Sequence, residues 1–184
     1  MNYLKYILFL LLFNSIPSYG QARQMPGISP KGNFLIHNAF IHVVAHDPIE
    51  NGWVLINNGL ITNIGTGVPP ISLKETCEVF NANGQHLSPG LVAMDTRLGI
   101  KEVGQVRITH DEDEYGSINP EARAVIAVNP DSDHLPVARA EGILIAQVMP
   151  TGGRISGRPG TIRLNGWTWE EMAIKVQDGL AINW

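Results

Sequence analysis

Asp95 and Arg97 stand two positions apart, just after the apolar run Leu91-Val92-Ala93-Met94. In an extended chain that spacing puts both side chains on one face. A carboxylate there accepts hydrogen bonds or ligates a cation. A guanidinium stays protonated, has no lone pair to give a metal, and pairs with anions instead. Two readings follow: Arg97 binds an anionic group and Asp95 steadies it, or the two form a plain ion pair, worth about 0–1 kcal/mol if exposed.

Two further stretches carry chemistry-bearing residues. The acidic run His110-Asp111-Glu112-Asp113-Glu114 lacks EF-hand spacing and reads either as a solvated loop or as a hard-cation or substrate contact. Asp111 and Glu112 are its candidate cleft-lining residues. The second stretch, Thr151 to Gly160, is glycine-rich with two arginines, Arg154 and Arg158. Gly152, Gly153 and Arg154 are candidates to line a substrate cleft as a mobile loop, wrapping amides and a guanidinium around an anion. The Lys-Ser/Thr ending of a phosphate-binding P-loop is missing, so nucleotide is not expected.

No catalytic residue is identifiable. There is no Gly-x-Ser-x-Gly motif, and the one cysteine, Cys77, has no histidine placed by sequence to activate it. The six histidines form no His-Glu-x-x-His pattern. His42 and His46 read as partly exposed strand residues, and the four tryptophans as packing.

These groups need elements to hold them. Phe34 to Phe80 reads as β structure: strands at 34–36, 40–44, 53–56, 60–65 and 77–80, with Asn57-Asn58-Gly59 as a hairpin turn. Asn83-Gly84 and Ser88-Pro89-Gly90 break the chain. Leu91 to Met94 then reads as a strand buried on both faces, as in a parallel sheet. Asn119-Pro120 predicts a helix ending near Asn129-Pro130, and a second helix fits His134 to Glu141, stopped by Gly142. Strands are expected at 143–149 and 161–164, and Thr168-x-x-Glu171 is a capping box. The order strand, helix, strand suggests βαβ units.

The stretch from Pro89 to Gly99 resembles a known family. Pro89, Gly90, Leu91, Val92, Leu98 and Gly99 match the first barrel strand of the amidohydrolase superfamily, close to its imidazolonepropionase-like, periplasmic bacterial branch. The family pattern is Pro-Gly-apolar-apolar-Asp-x-His-x-His-Leu-Gly. Here Ala93 stands in the place of the aspartate, and Asp95 and Arg97 in the places of the two metal-binding histidines. Pro150-x-Gly152-Gly153-x-Ile155-x-Gly157 resembles the loop after that branch's second barrel strand. The strand pattern of residues 38–65 resembles the family's amino-terminal β-sandwich portion.

The resemblance implies an α/β fold: a partial β-sandwich, completed in the family by strands from the far carboxyl terminus, then the first βα units of a truncated (β/α)8 barrel. The expected organisation is a signal peptide at 1–20, a flexible leader at 21–33, the β-sandwich portion at 34–88 and the incomplete barrel at 89–184. That last stretch falls short of the roughly 250 residues of a full barrel. A fragment or one half of a split protein is therefore expected, with an independent small α/β domain as the alternative. The family holds a divalent metal, usually zinc. None is expected for this chain, because Arg97 cannot ligate and the later barrel ligands have no counterpart here.

Bulk properties bound the rest. The chain has 184 residues and formal net charge −4, so nucleic acid is not an expected partner. Lys5, the apolar stretch 6–13 and Ser18-Tyr19-Gly20 form a secretory signal pattern too short to span a bilayer, which predicts a periplasmic or secreted product. By resemblance the substrate is a small amide-like molecule and the reaction hydrolysis of carbon–nitrogen bonds, non-peptide or cyclic. This chain alone is expected to be inactive, with a second chain supplying the rest of the barrel as an expected partner. The alternative is a non-catalytic descendant that binds a ligand or partner through the same scaffold.

Overall fold

The structure is a computed structural model describing residues 26–27 and 31–184. The expected signal peptide and most of the leader lie outside the described residues. Among those residues the protein is mostly β-sheet, with three short α-helices.

The first sheet holds β1 (Asn33–Ile41), β2 (Ile49–Asn57), β3 (Leu60–Thr66), β4 (Glu78–Asn81) and β5 (His86–Leu87). β1, β2 and β3 form an antiparallel meander, while β4 and β5 pair parallel to the free edge of β1. The hairpin turn forms as expected: Asn58 and Gly59 have φ of +47° and +81°, which the tight turn between β2 and β3 requires. The two apolar pieces expected at 34–36 and 40–44 are one strand, kinked at Asn38 where the register with β2 slips. A short helix, α1 (Ile71–Thr76), was not legible from the sequence. It buries no side chain and returns the chain so that β4 can run parallel to β1. Ala39, Ile41, Val54 and Ala82 form the small core of this sheet.

The second sheet has the order β10 (Ala173–Lys175), β9 (Gly160–Arg163), β7 (Ile143–Val148), β6 (Leu91–Thr96). β6 and β7 are parallel, and the chain between them carries α2 (His134–Ala140), giving one βαβ unit. A separate pair joins β8 (Ile155–Gly157) to β11 (Ala181–Ile182). Val125, Val148, Ile162, Leu164, Leu135 and Met172 are central to the main core, on one face of the sheet. The capping box opens α3 (Trp169–Met172): Thr168 Oγ1 accepts from Glu171 N–H at 3.3 Å, and the Glu171 carboxylate reaches back to Trp167 N–H.

Two expectations need correction. The stretch 119–130 is not an α-helix; only Ala124–Ala127 makes a 3-10 turn. Its backbone is engaged elsewhere, because Asn119 N–H donates to Ile155 O, Arg158 N–H to Ala122 O, and Ala124 N–H to Arg158 O. Long-range pairing with the glycine-rich stretch outweighs the local helix signals. Second, β6 is not buried on both faces. Among the described residues it is an edge strand with one neighbour, and Leu91, Val92 and Met94 are more than half exposed.

Candidate functional site

Because β6 and β7 are parallel, their carboxyl ends open on one side of the sheet. There Asp95, Arg97, Met149, Pro150, Thr151 and Gly152 face Leu180–Asn183 across a cleft of about 620 Å³. Ligands of open α/β sheets gather at this end of the strands. Thr96 fixes the end of β6 to β7: its hydroxyl donates to Gln147 O at 2.9 Å, and its carbonyl accepts from Met149 N–H at 2.9 Å.

Asp95 departs from the expected extended chain. Its φ is +53°, and the register between β6 and β7 shifts between Ala93 and Thr96. This turn lets the Arg97 side chain fold back on Asp95. Arg97 Nη1 donates to the Asp95 carbonyl at 3.0 Å and to the Asp95 carboxylate. The Arg97 side chain is 31% exposed and that of Asp95 68%. The pair is thus a preset guanidinium–carboxylate contact at the cleft rim.

The glycine-rich loop is tethered rather than loose. The fully buried Ser156 hydroxyl donates to Gly152 O at 2.6 Å. The Asn183 side-chain amide donates to Ser156 Oγ at 2.7 Å and to Gly153 O at 2.9 Å. Gly152 and Gly153 have φ of +84° and +61°, and a Cβ on Gly153 would lie 2.8 Å from the Ser117 backbone. Only glycine serves there. Arg154 contributes its backbone, donating to Ser117 O and accepting from Asn183 N–H; its side chain does not line the cleft.

Asp111 and Glu112 do not line this cleft. They adjoin a much smaller hollow, on the Pro150 and Arg123 side. Glu112 bonds Lys101 Nζ at 2.6 Å, and its carbonyl accepts from Thr151 N–H at 2.6 Å. Asp113 pairs with Arg107 at 3.1 Å. The acidic run is therefore partly neutralised by local cations, and it anchors the glycine-rich loop through Thr151.

Sequence reasoning missed three groups. Asn183 and Ser156 meet only through the pairing of β8 and β11. Asp178 accepts from Thr161 Oγ1, Lys175 Nζ and Gln147 Nε2. Burial opposes its charged form, but these hydrogen bonds and the Lys175 charge prevail and hold the carboxyl below its ordinary value. Finally, His42 Nε2 lies 2.7 Å from His86 Nδ1, with Phe40 against both rings. No local pattern signals that pair, because parallel pairing of β5 with β1 creates it.

The donor set at the cleft does not fit a divalent ion. Arg97 holds the Asp95 carboxylate and adds a fixed positive charge. Among the described residues no three His, Cys, Asp or Glu side chains converge.

No protein-family profile matches the chain. In sequence it is similar to "Amidohydrolase tasK" of Hapsidospora irregularis, 26% identical over 100 residues, which are 54% of this chain and 10% of that protein. In fold it is similar to an amidohydrolase from Thermotoga maritima MSB8, with a TM-score of 0.73 and 23% identity, over 81% of this chain and 38% of that one. The matches thus span a tenth of the first relative and less than two fifths of the second. The similarity in sequence and the likeness in fold both lead to amidohydrolases.

Proposed function

We propose that this chain is an amidohydrolase-type scaffold, of the imidazolonepropionase-like branch, that binds a small amide-like molecule in the β6–β7 cleft. By itself it does not hydrolyse that molecule. The observation that carries this reading is the Arg97–Asp95 contact. It sits at the carboxyl end of β6, where the resemblance implies two histidines, and it turns a would-be metal face into a hydrogen-bonding one. The cleft is lined about equally by apolar residues, Met149, Pro150, Leu180 and Ile182 among them, and by polar groups at Asp95, Arg97, Thr151 and Asn183, so a small ligand there meets both. The described residues lining the cleft include no Ser, Cys, Lys or His, and the Thr151 hydroxyl donates to Glu112 O, so no activated nucleophile stands there.

The barrel-like organisation of 89–184, the sandwich portion at 34–88 and export through residues 1–20 to the periplasm or the medium are parts of the same proposal. A second reading is favoured by one observation, the open edge of β6. Its outer backbone edge, unpaired among the described residues, and the exposed Leu91, Val92 and Met94 suit a further strand. On that reading a second chain completes the scaffold, and the assembly hydrolyses carbon–nitrogen bonds.

The test is a titration of the folded protein with linear and cyclic amides, followed by amide chemical shifts and by product analysis. Saturable shifts at Arg97, Thr151 and Gly152 without hydrolysis support the binding reading. Turnover by the isolated chain overturns it, and so does the absence of any shift at the cleft.

A further inference from the structure

Arg97 is the one cationic side chain lining the cleft among the described residues. Asp95 engages Nη1 alone. The Nε and Nη2 edge of the guanidinium makes no hydrogen bond among the described residues. That edge presents two parallel N–H donors, the spacing of the two oxygens of a carboxylate. Also at the cleft, the N–H of Gly152 makes no hydrogen bond among the described residues, and the positive φ of Gly152 turns this backbone out of strand pairing.

We propose that the ligand of this cleft carries a carboxylate, received by the Nε–Nη2 edge of Arg97. The ligand's amide or apolar body then lies against Met149, Pro150, Leu180 and Ile182. This rests on the cleft being a small-molecule site. Asp95 is a positioning residue here. Its contact with Nη1 fixes the plane of the guanidinium, so the free edge needs no ordering when a ligand arrives. Its carboxylate is 68% exposed, so water screens its repulsion of a second anion. Binding thus rests on hydrogen-bond geometry more than on net charge.

The experiment uses three probes on the full folded chain, N-acetylglycine, its neutral counterpart N-acetylglycinamide and inorganic phosphate, with amide chemical shifts as the readout. N-acetylglycine is expected to bind saturably at Arg97 and Gly152, about tenfold or more tighter than the neutral amide. Arg97→Gln is expected to erase that preference, and Arg97→Lys to keep only part of it, because a point charge lacks the fork. Equal binding of acid and neutral amide by the unmodified protein overturns the carboxylate inference and leaves the cleft reading standing. Binding of neither overturns both. Phosphate matching N-acetylglycine identifies a general oxyanion site and overturns the assignment of a carboxylate.

Discussion

The Asn183 side-chain amide donates to Ser156 Oγ at 2.7 Å, and together with its bond to Gly153 O this ties the residue after β11 to the glycine-rich loop. Ser156 is fully buried, and its own hydroxyl donates a hydrogen bond to Gly152 O. Replacing Ser156 with Ala removes both hydrogen bonds of the hydroxyl, while Asn183, an exposed residue, keeps its bond to Gly153 O. Each lost bond is worth about 0.5–1.5 kcal/mol. Ser156→Ala should therefore lower the urea midpoint with an unchanged slope. It should also increase hydrogen exchange at Gly152 to Arg154.

Gly153→Ala should be as damaging for a different reason. The new Cβ meets the Ser117 backbone at 2.8 Å, and the residue holds a φ of +61°. Neither partner is a flexible side-chain tip, so the loop must shift. A loss of about 1–3 kcal/mol is expected, read by thermal unfolding. Gly67→Ala, with a similarly positive φ but open space around it, should cost less.

The Asp178 carboxyl titrates below its ordinary value in the folded chain. Its stabilising contribution is therefore complete above the unfolded pKa, roughly 4, and is lost as pH falls through the folded value. Unfolding free energy measured from pH 7 downward should be insensitive to this group until about pH 4 and then drop. Asp178→Asn should remove that part of the acid dependence. An unaltered acid limb would contradict the assignment.

His42 Nε2 and His86 Nδ1 lie 2.7 Å apart in a hydrogen bond, so in a neutral pair one ring nitrogen donates and the other accepts. Nitrogen-15 spectra should show one protonated and one bare nitrogen there. The pair is solvent-accessible, so His86→Ala should cost only about 1 kcal/mol or less.

How far the sequence could be read depends on the range of the forces involved. The β2–β3 hairpin and the cap at Thr168 were legible because a few adjacent residues, Asn58-Gly59 and Thr168 with Glu171, determine them. The parallel strands β6 and β7 were legible as apolar runs. The stretch after Asn119 misled because its helix signals are local, while Ile155 and Arg158 claim its backbone from more than thirty residues away. In the same way, the apolar run of β6 does not reveal that one edge stays open. At the candidate site, Asp95, Arg97 and Gly152 were named from sequence and do meet in one cleft. Asp111 and Glu112 were drawn away by Lys101 and by the Thr151 backbone. Asn183 was invisible, because only the β8–β11 pairing brings it there.

The most direct test of the central claim is zinc content of the purified chain, by elemental analysis after size-exclusion chromatography, with Asp95→Asn measured alongside. Well under one zinc per folded chain is expected, unchanged by Asp95→Asn, since Arg97 already occupies that carboxylate. One equivalent of zinc retained by the unmodified chain and lost in Asp95→Asn would contradict the claim. Asp95 would then be a metal ligand and the cleft a hydrolytic centre.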